Sequence, residues 1–92
     1  MTKSDLINKL AVKHNISPNQ ARKIVDTFFD TMIDALKEEE RIEIRGFGSF
    51  EVRHYESYEG VNPRTMEKIS ISPKRLPFFK AGKELKKRLN QG

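Results

Sequence analysis

Between Arg53 and Ile71, in RHYESYEGVNPRTMEKISI, two runs containing β-branched and aromatic residues flank a cluster of Gly60, Asn62 and Pro63. That pattern predicts a β-hairpin. A strand from Arg53 to Asn62 spans about 30 Å at roughly 3.3 Å per residue, and the ribbon carries little apolar material to bury. A ribbon of this kind removes residues from a chain of only 92 and leaves a marginal body, for which oligomerisation is the expected remedy. The ribbon therefore reads as a reaching device.

Ahead of the ribbon the periodicity is helical. Thr2 stands as an N-cap with Asp5 three residues later, and Leu6, Ile7, Leu10 and Ala11 recur at helical spacing, predicting a helix over 3–14. His14-Asn15 ends it. Ser17 as N-cap, Pro18 at the first helical position and Gln20 closing a capping box then start a second helix. Its apolar residues Ala21, Ile24, Val25, Phe28, Phe29, Met32, Ile33 and Leu36 form a face too wide for one partner helix, so burial on two sides is expected.

After Glu38-Glu39-Glu40 the period changes to two, with Ile42 and Ile44 on one side and Arg41, Glu43 and Arg45 on the other. Gly46 and Gly48 break this into two strands. The second is expected to run on through Tyr58, turn near Asn62 to Thr65 and return in EKISIS. Pro73 and Pro77 are expected to end the ribbon, with Phe78 and Phe79 re-entering a core. KAGKELKKRLN then reads as a short basic helix with Leu85 and Leu89 inward.

Net charge is +5, but it is unevenly placed. Residues 1–40 carry six Lys/Arg against seven Asp/Glu, residues 41–73 five against five, and residues 74–92 seven against Glu84 alone. An anionic partner is expected at the C-terminal segment. Lys80, Lys83, Lys86 and Lys87 flank a predicted helix start at Ala81-Gly82, whose free N–H groups attract phosphate. Lys3, near the start of the first helix, is a candidate for the same task. The ordinary reading of such a segment is a solvated face.

No cysteine is present, so disulfide and thiolate chemistry are excluded. His14 and His54 lack companions for a metal or catalytic role, and no nucleophile motif or phosphate-cradling Gly loop occurs. No enzyme, cofactor, metal or small-molecule substrate is therefore expected. With no secretory or membrane-spanning run, the expected location is cytoplasmic, at the nucleoid. The aromatics Phe28, Phe29, Phe47, Phe50 and Phe79 are expected in the core and a subunit interface. On residue physics alone, Pro63 reads first as a turn proline that fixes φ.

GFGSFEV, followed by GVNPRTMEKI and closed by PFFKAGKELK, resembles the bacterial HU and integration host factor family of DNA-bending proteins over essentially the whole chain. The resemblance implies an intertwined α+β dimer, with two N-terminal helices, a three-stranded antiparallel sheet extended into a β-ribbon arm, and a short C-terminal helix. It implies one domain over 1–92, with a helical dimerisation region over 1–40, sheet and arm over 41–76, and a basic segment over 77–92. The implied partners are double-stranded DNA, bent through its minor groove with little sequence preference, and a second subunit, identical or different. DNA contacts are then expected from Lys3, Arg45, Arg53, Asn62, Pro63, Arg64, Lys74, Arg75, Lys80, Gly82, Lys83 and Lys86, with Pro63 as a wedge between base steps. The ribbon keeps Arg53, Gly60, Asn62, Pro63 and Thr65 of the family pattern. It carries Tyr55, Tyr58, Val61 and Met66 where Arg, Arg, Arg and Gly are usual, and Glu56 and Glu59 add opposing charge. Two alternatives stand beside the DNA-bending reading: a subunit of a site-specific heterodimer like integration host factor, and a protein-interaction module with a weakened DNA-binding arm.

Overall fold

The computed structural model describes residues 1–91. Its first compact unit, Met1–Ala35, is built on two helices, α1 (Lys3–His14) and α2, which begins at Pro18 and ends at Lys37 in the second unit. Both starts are made by reciprocal caps. The Thr2 hydroxyl accepts from the Asp5 N–H at 3.1 Å while the Asp5 carboxylate accepts from the Thr2 N–H at 2.9 Å. Ser17 and Gln20 repeat the exchange at 3.1 and 3.0 Å. Asn15 ends α1 in the left-handed region at φ 51°, a conformation asparagine tolerates. Ile7 and Ala11 of α1 pack with Ala21 and Val25 of α2, edged by Leu6, Leu10 and Ile16. This core is small. The other apolar side of α2 stays open, with Ile24, Phe28, Phe29 and Ile33 between 40% and 54% exposed.

The second unit, Leu36–Gly92, holds the strands. Strand β1 (Ile42–Ile44), β2 (Gly48–Tyr55) and β5 (Lys74–Ala81) form an antiparallel sheet in the order β1-β2-β5. Between β2 and β5 the chain makes a separate ribbon of β3 (Tyr58–Val61) and β4 (Lys68–Ile71). Helix α3 (Lys83–Leu89) follows β5 with Gly82 as its N-cap. Among the described residues no helix is long and apolar enough to cross a membrane.

Three local expectations are corrected. The strand expected to run unbroken through Tyr58 stops at Tyr55 and resumes at Tyr58. The interruption at Glu56-Ser57 faces Ser72-Pro73, because Tyr55 pairs with Lys74 and Tyr58 with Ile71, and Pro73 has no N–H to give a ladder. Pro77 does not end the ribbon but lies inside β5 opposite Val52. It is tolerated there because β5 is an edge strand. Leu89 is not inward: it is 75% exposed in the last turn of α3, whereas Leu85 is half-buried.

The β2–β5 ladder fixes one close approach. A Cβ at Gly48 would lie 2.5 Å from the Lys80 carbonyl oxygen and 2.7 Å from the Phe79 ring. Gly48→Ala is accordingly expected to cost about 1–3 kcal/mol through overpacking, read as a lower urea midpoint; an unchanged midpoint would show that the ladder relaxes freely.

Candidate nucleic-acid interface

The turn from β1 to β2 and the start of α3 are tied together by backbone bonds. Phe47 donates its N–H to the Ile44 carbonyl at 2.9 Å, and Gly82 donates to the Phe47 carbonyl at 2.9 Å. Gly46 makes the turn possible at φ 83°, where a side chain would be strained. This closure leaves an open groove of about 860 Å³, lined by Arg41, Glu43, Arg45, Ser49, Lys80, Lys83, Glu84 and Lys86 over a floor that includes Ile44, Gly48 and Ala81.

Its electrostatics are one-sided. Glu43 pairs with Arg41 at 3.3 Å and Glu84 with Arg88 at 3.4 Å, so the groove's two carboxylates are already engaged. Arg45, Lys80, Lys83 and Lys86 have no carboxylate partner among the described residues. Unpaired cations converging on a concave surface make a site for a polyanion.

The remaining expected contacts are placed differently. Arg53 stacks its guanidinium 3.4 Å from the centroid of Phe78 and lies 3.4 Å from the Glu51 carboxylate. Arg75 donates to the Lys37 carbonyl at 3.3 Å and stands 3.8 Å from Glu39, which also pairs with His54. Both arginines thus serve internal contacts at the base of the ribbon. Lys74, opposite Tyr55, is exposed and has no carboxylate partner among the described residues. In the other unit, Lys3 is joined to Asp26 of α2 in an ion pair.

At the ribbon tip Asn62 organises the turn. Its side-chain oxygen accepts from the Arg64 N–H at 2.9 Å, its carbonyl from Met66 at 2.7 Å, and its own N–H donates to the Glu67 carbonyl at 2.9 Å. Pro63 and Arg64 are left exposed on the closed turn. Asn62 is half-buried, and its polar groups hold the turn's own backbone.

The sequence profile described as bacterial DNA-binding protein matches residues 1–90. The chain belongs to this family. It is 46% identical over 86 residues to DNA-binding protein HU 1 of Bacillus subtilis, covering 94% of each chain. To the integration host factor subunit beta of Idiomarina loihiensis it is 41% identical over 90 residues, covering 98% of this chain and 97% of the other. Among solved structures, an Anabaena HU–DNA cocrystal structure superposes with a TM-score of 0.87 at 34% identity over both whole chains. HU from Thermotoga maritima gives 0.68 at 30% identity, over 98% of this chain and 100% of that one.

For a member of the HU and integration host factor family, the arm of this chain is poor in cations. Between residues 56 and 71 Arg64 and Lys68 are outnumbered by Glu56, Glu59 and Glu67. Arg41 and Ser49 line the groove without having been singled out from the sequence. The signal for Arg41 was its place in the period-two run, which puts it on the side of Arg45; Ser49 enters only through its register opposite Lys80.

Neutralising Lys80, Lys83 and Lys86 to Gln one at a time is expected to weaken DNA binding alike on unrelated sequences and to lower the salt slope by about one unit each. An unchanged slope in the triple variant would place the DNA surface elsewhere.

Proposed function

We propose that this chain is an architectural, nucleoid-associated protein that binds duplex DNA as a dimer with low sequence specificity and bends it. The observation that carries the reading is the groove in which Arg45, Lys80, Lys83 and Lys86 meet without carboxylate partners among the described residues. Phosphates along a duplex are the polyanion such a groove fits, and their neutralisation releases counterions with little dependence on base sequence. The ribbon then reaches around the duplex into the minor groove. Pro63 at its exposed tip supplies an apolar wedge without an N–H to leave unpaired, the residue type that kinks a base step.

Dimerisation is supported by what the chain leaves uncovered. Phe28 and Phe29 meet edge to face at 5.4 Å on α2, yet are 50% and 40% exposed. Phe79 lies 5.4 Å from Phe47 and 4.7 Å from Phe50, while Phe47 and Phe79 are 43% and 38% exposed. Aromatic clusters half in water are stabilised by a second subunit that covers them. The 41% identity to an integration host factor subunit supports a second reading in which that partner is a different chain.

The dimer is expected to show a melting temperature that rises with protein concentration. Phe47→Ala is expected to cost about 3–5 kcal/mol if the ring is covered by the partner. A concentration-independent transition, with a folded monomer in sedimentation at micromolar protein, would overturn the dimer; no dimer from this chain alone but a dimer on mixing with a second family member would favour the heterodimer.

For bending, Pro63→Ala is expected to reduce the bend while leaving affinity within about tenfold, roughly 1.4 kcal/mol. Energy transfer between dyes on the ends of a short duplex, read at saturating protein, measures this. Equal bending by both proteins would reduce Pro63 to a turn residue, and a straight duplex with the wild type would leave the arms another task.

A further inference from the structure

The ribbon tip carries a side chain that the turn itself does not call for. Met66 sits in the left-handed region at φ 60°, a conformation that disfavours every side chain with a Cβ and is the ordinary place for glycine or asparagine. Its side chain recovers little burial from the rest of the chain, since Met66 is 75% exposed. A long apolar side chain is therefore held in water on a backbone that would be better served by glycine. Backbone outliers of this kind concentrate at functional positions.

Its location narrows the function. The Met66 N–H donates at 2.7 Å to the carbonyl of Asn62, the carbonyl of the peptide bond that leads into Pro63. The turn is closed further by the bonds from Asn62 N–H to Glu67 and from Arg64 N–H to the Asn62 side chain, both 2.9 Å. Pro63 and Met66 are thus both exposed on one pinned turn of residues 62–67, with Arg64 between them in sequence. Methionine and proline are both among the apolar residues that enter opened base steps. The methionine thioether is flexible and polarisable, and packs favourably on aromatic faces.

Resting on the DNA-bending reading above, we propose that Met66 is a second wedge: it fills the base step opened by Pro63 and packs its thioether against the uncovered base. Apolar contact at the kink then takes over some of the holding that a cation-rich arm would provide through phosphates. The left-handed backbone is retained because the side chain is used only when DNA is bound.

The test compares wild type, Met66→Gly, Met66→Leu and Pro63→Ala on an intact duplex and on the same duplex with a nick at the kinked step. Glycine suits the left-handed position, so the first variant is expected to melt no lower than wild type. Met66→Gly is expected to reduce end-to-end energy transfer at saturation and to weaken binding to intact DNA about tenfold more than to nicked DNA, where the step unstacks more readily. Met66→Leu, which keeps an apolar side chain, is expected to retain most of both. If Met66→Gly bends and binds both duplexes as wild type does while Pro63→Ala loses the bend, the second wedge is refuted and the bending function stands. If wild type itself leaves the intact duplex straight, both fail together.

Discussion

The β2–β5 ladder is the interaction on which the rest of the second unit depends. Its register, from Gly48 opposite Ala81 to Tyr55 opposite Lys74, returns the basic end of the chain to the turn at Gly46–Gly48. The approach is tight because Gly48 has no Cβ to meet the Lys80 carbonyl and the Phe79 ring. At one end the ladder delivers Lys80 and α3 to the groove. At the other it sets where the ribbon leaves the sheet. Slipping the register by one residue would move Phe79 and Lys80 each to the other face of the sheet and dissolve both the aromatic cluster and the groove.

A chain that spends residues 56–73 on a ribbon has correspondingly few left for a core. The buried set is Ile7, Ala11, Ala21 and Val25, and no large side chain is fully buried among the described residues. The exposed rings on α2 and on the sheet are the counterpart of that economy. Stability and partner recognition are then one problem: the surface that makes the chain marginal alone is the surface that a second subunit would cover.

Charge is divided by place. Arg45, Lys80, Lys83 and Lys86 in the groove have no carboxylate partner among the described residues, whereas at the ribbon base Arg53 and Arg75 are held by Phe78, Glu51, Glu39 and the Lys37 carbonyl. The arm beyond them mixes signs and presents Tyr58 opposite Ile71 and Gly60 opposite Ile69 on one face. On the proposed reading, such an arm would engage DNA chiefly through shape and apolar contact, and salt-dependent affinity would rest on the groove.

The sequence by itself determined the local elements. Thr2–Asp5 and Ser17–Gln20 set both helix starts, the change to period two set the strands, and the family motifs set the fold, because caps, periodicity and glycine turns act over a few residues. It also marked the C-terminal segment as the most basic part of the chain, since excess charge is a property of composition. Only the tertiary structure decided which cations are free. Arg53, Arg75 and Lys3 look the same in sequence as Arg45 and Lys80, and what separates them is a ring or a carboxylate supplied from elsewhere in the chain. Arg41 and Ser49 joined the groove and Pro77 fell inside a strand for the same reason: strand register is settled by contacts between distant residues, and those are not written in any local pattern.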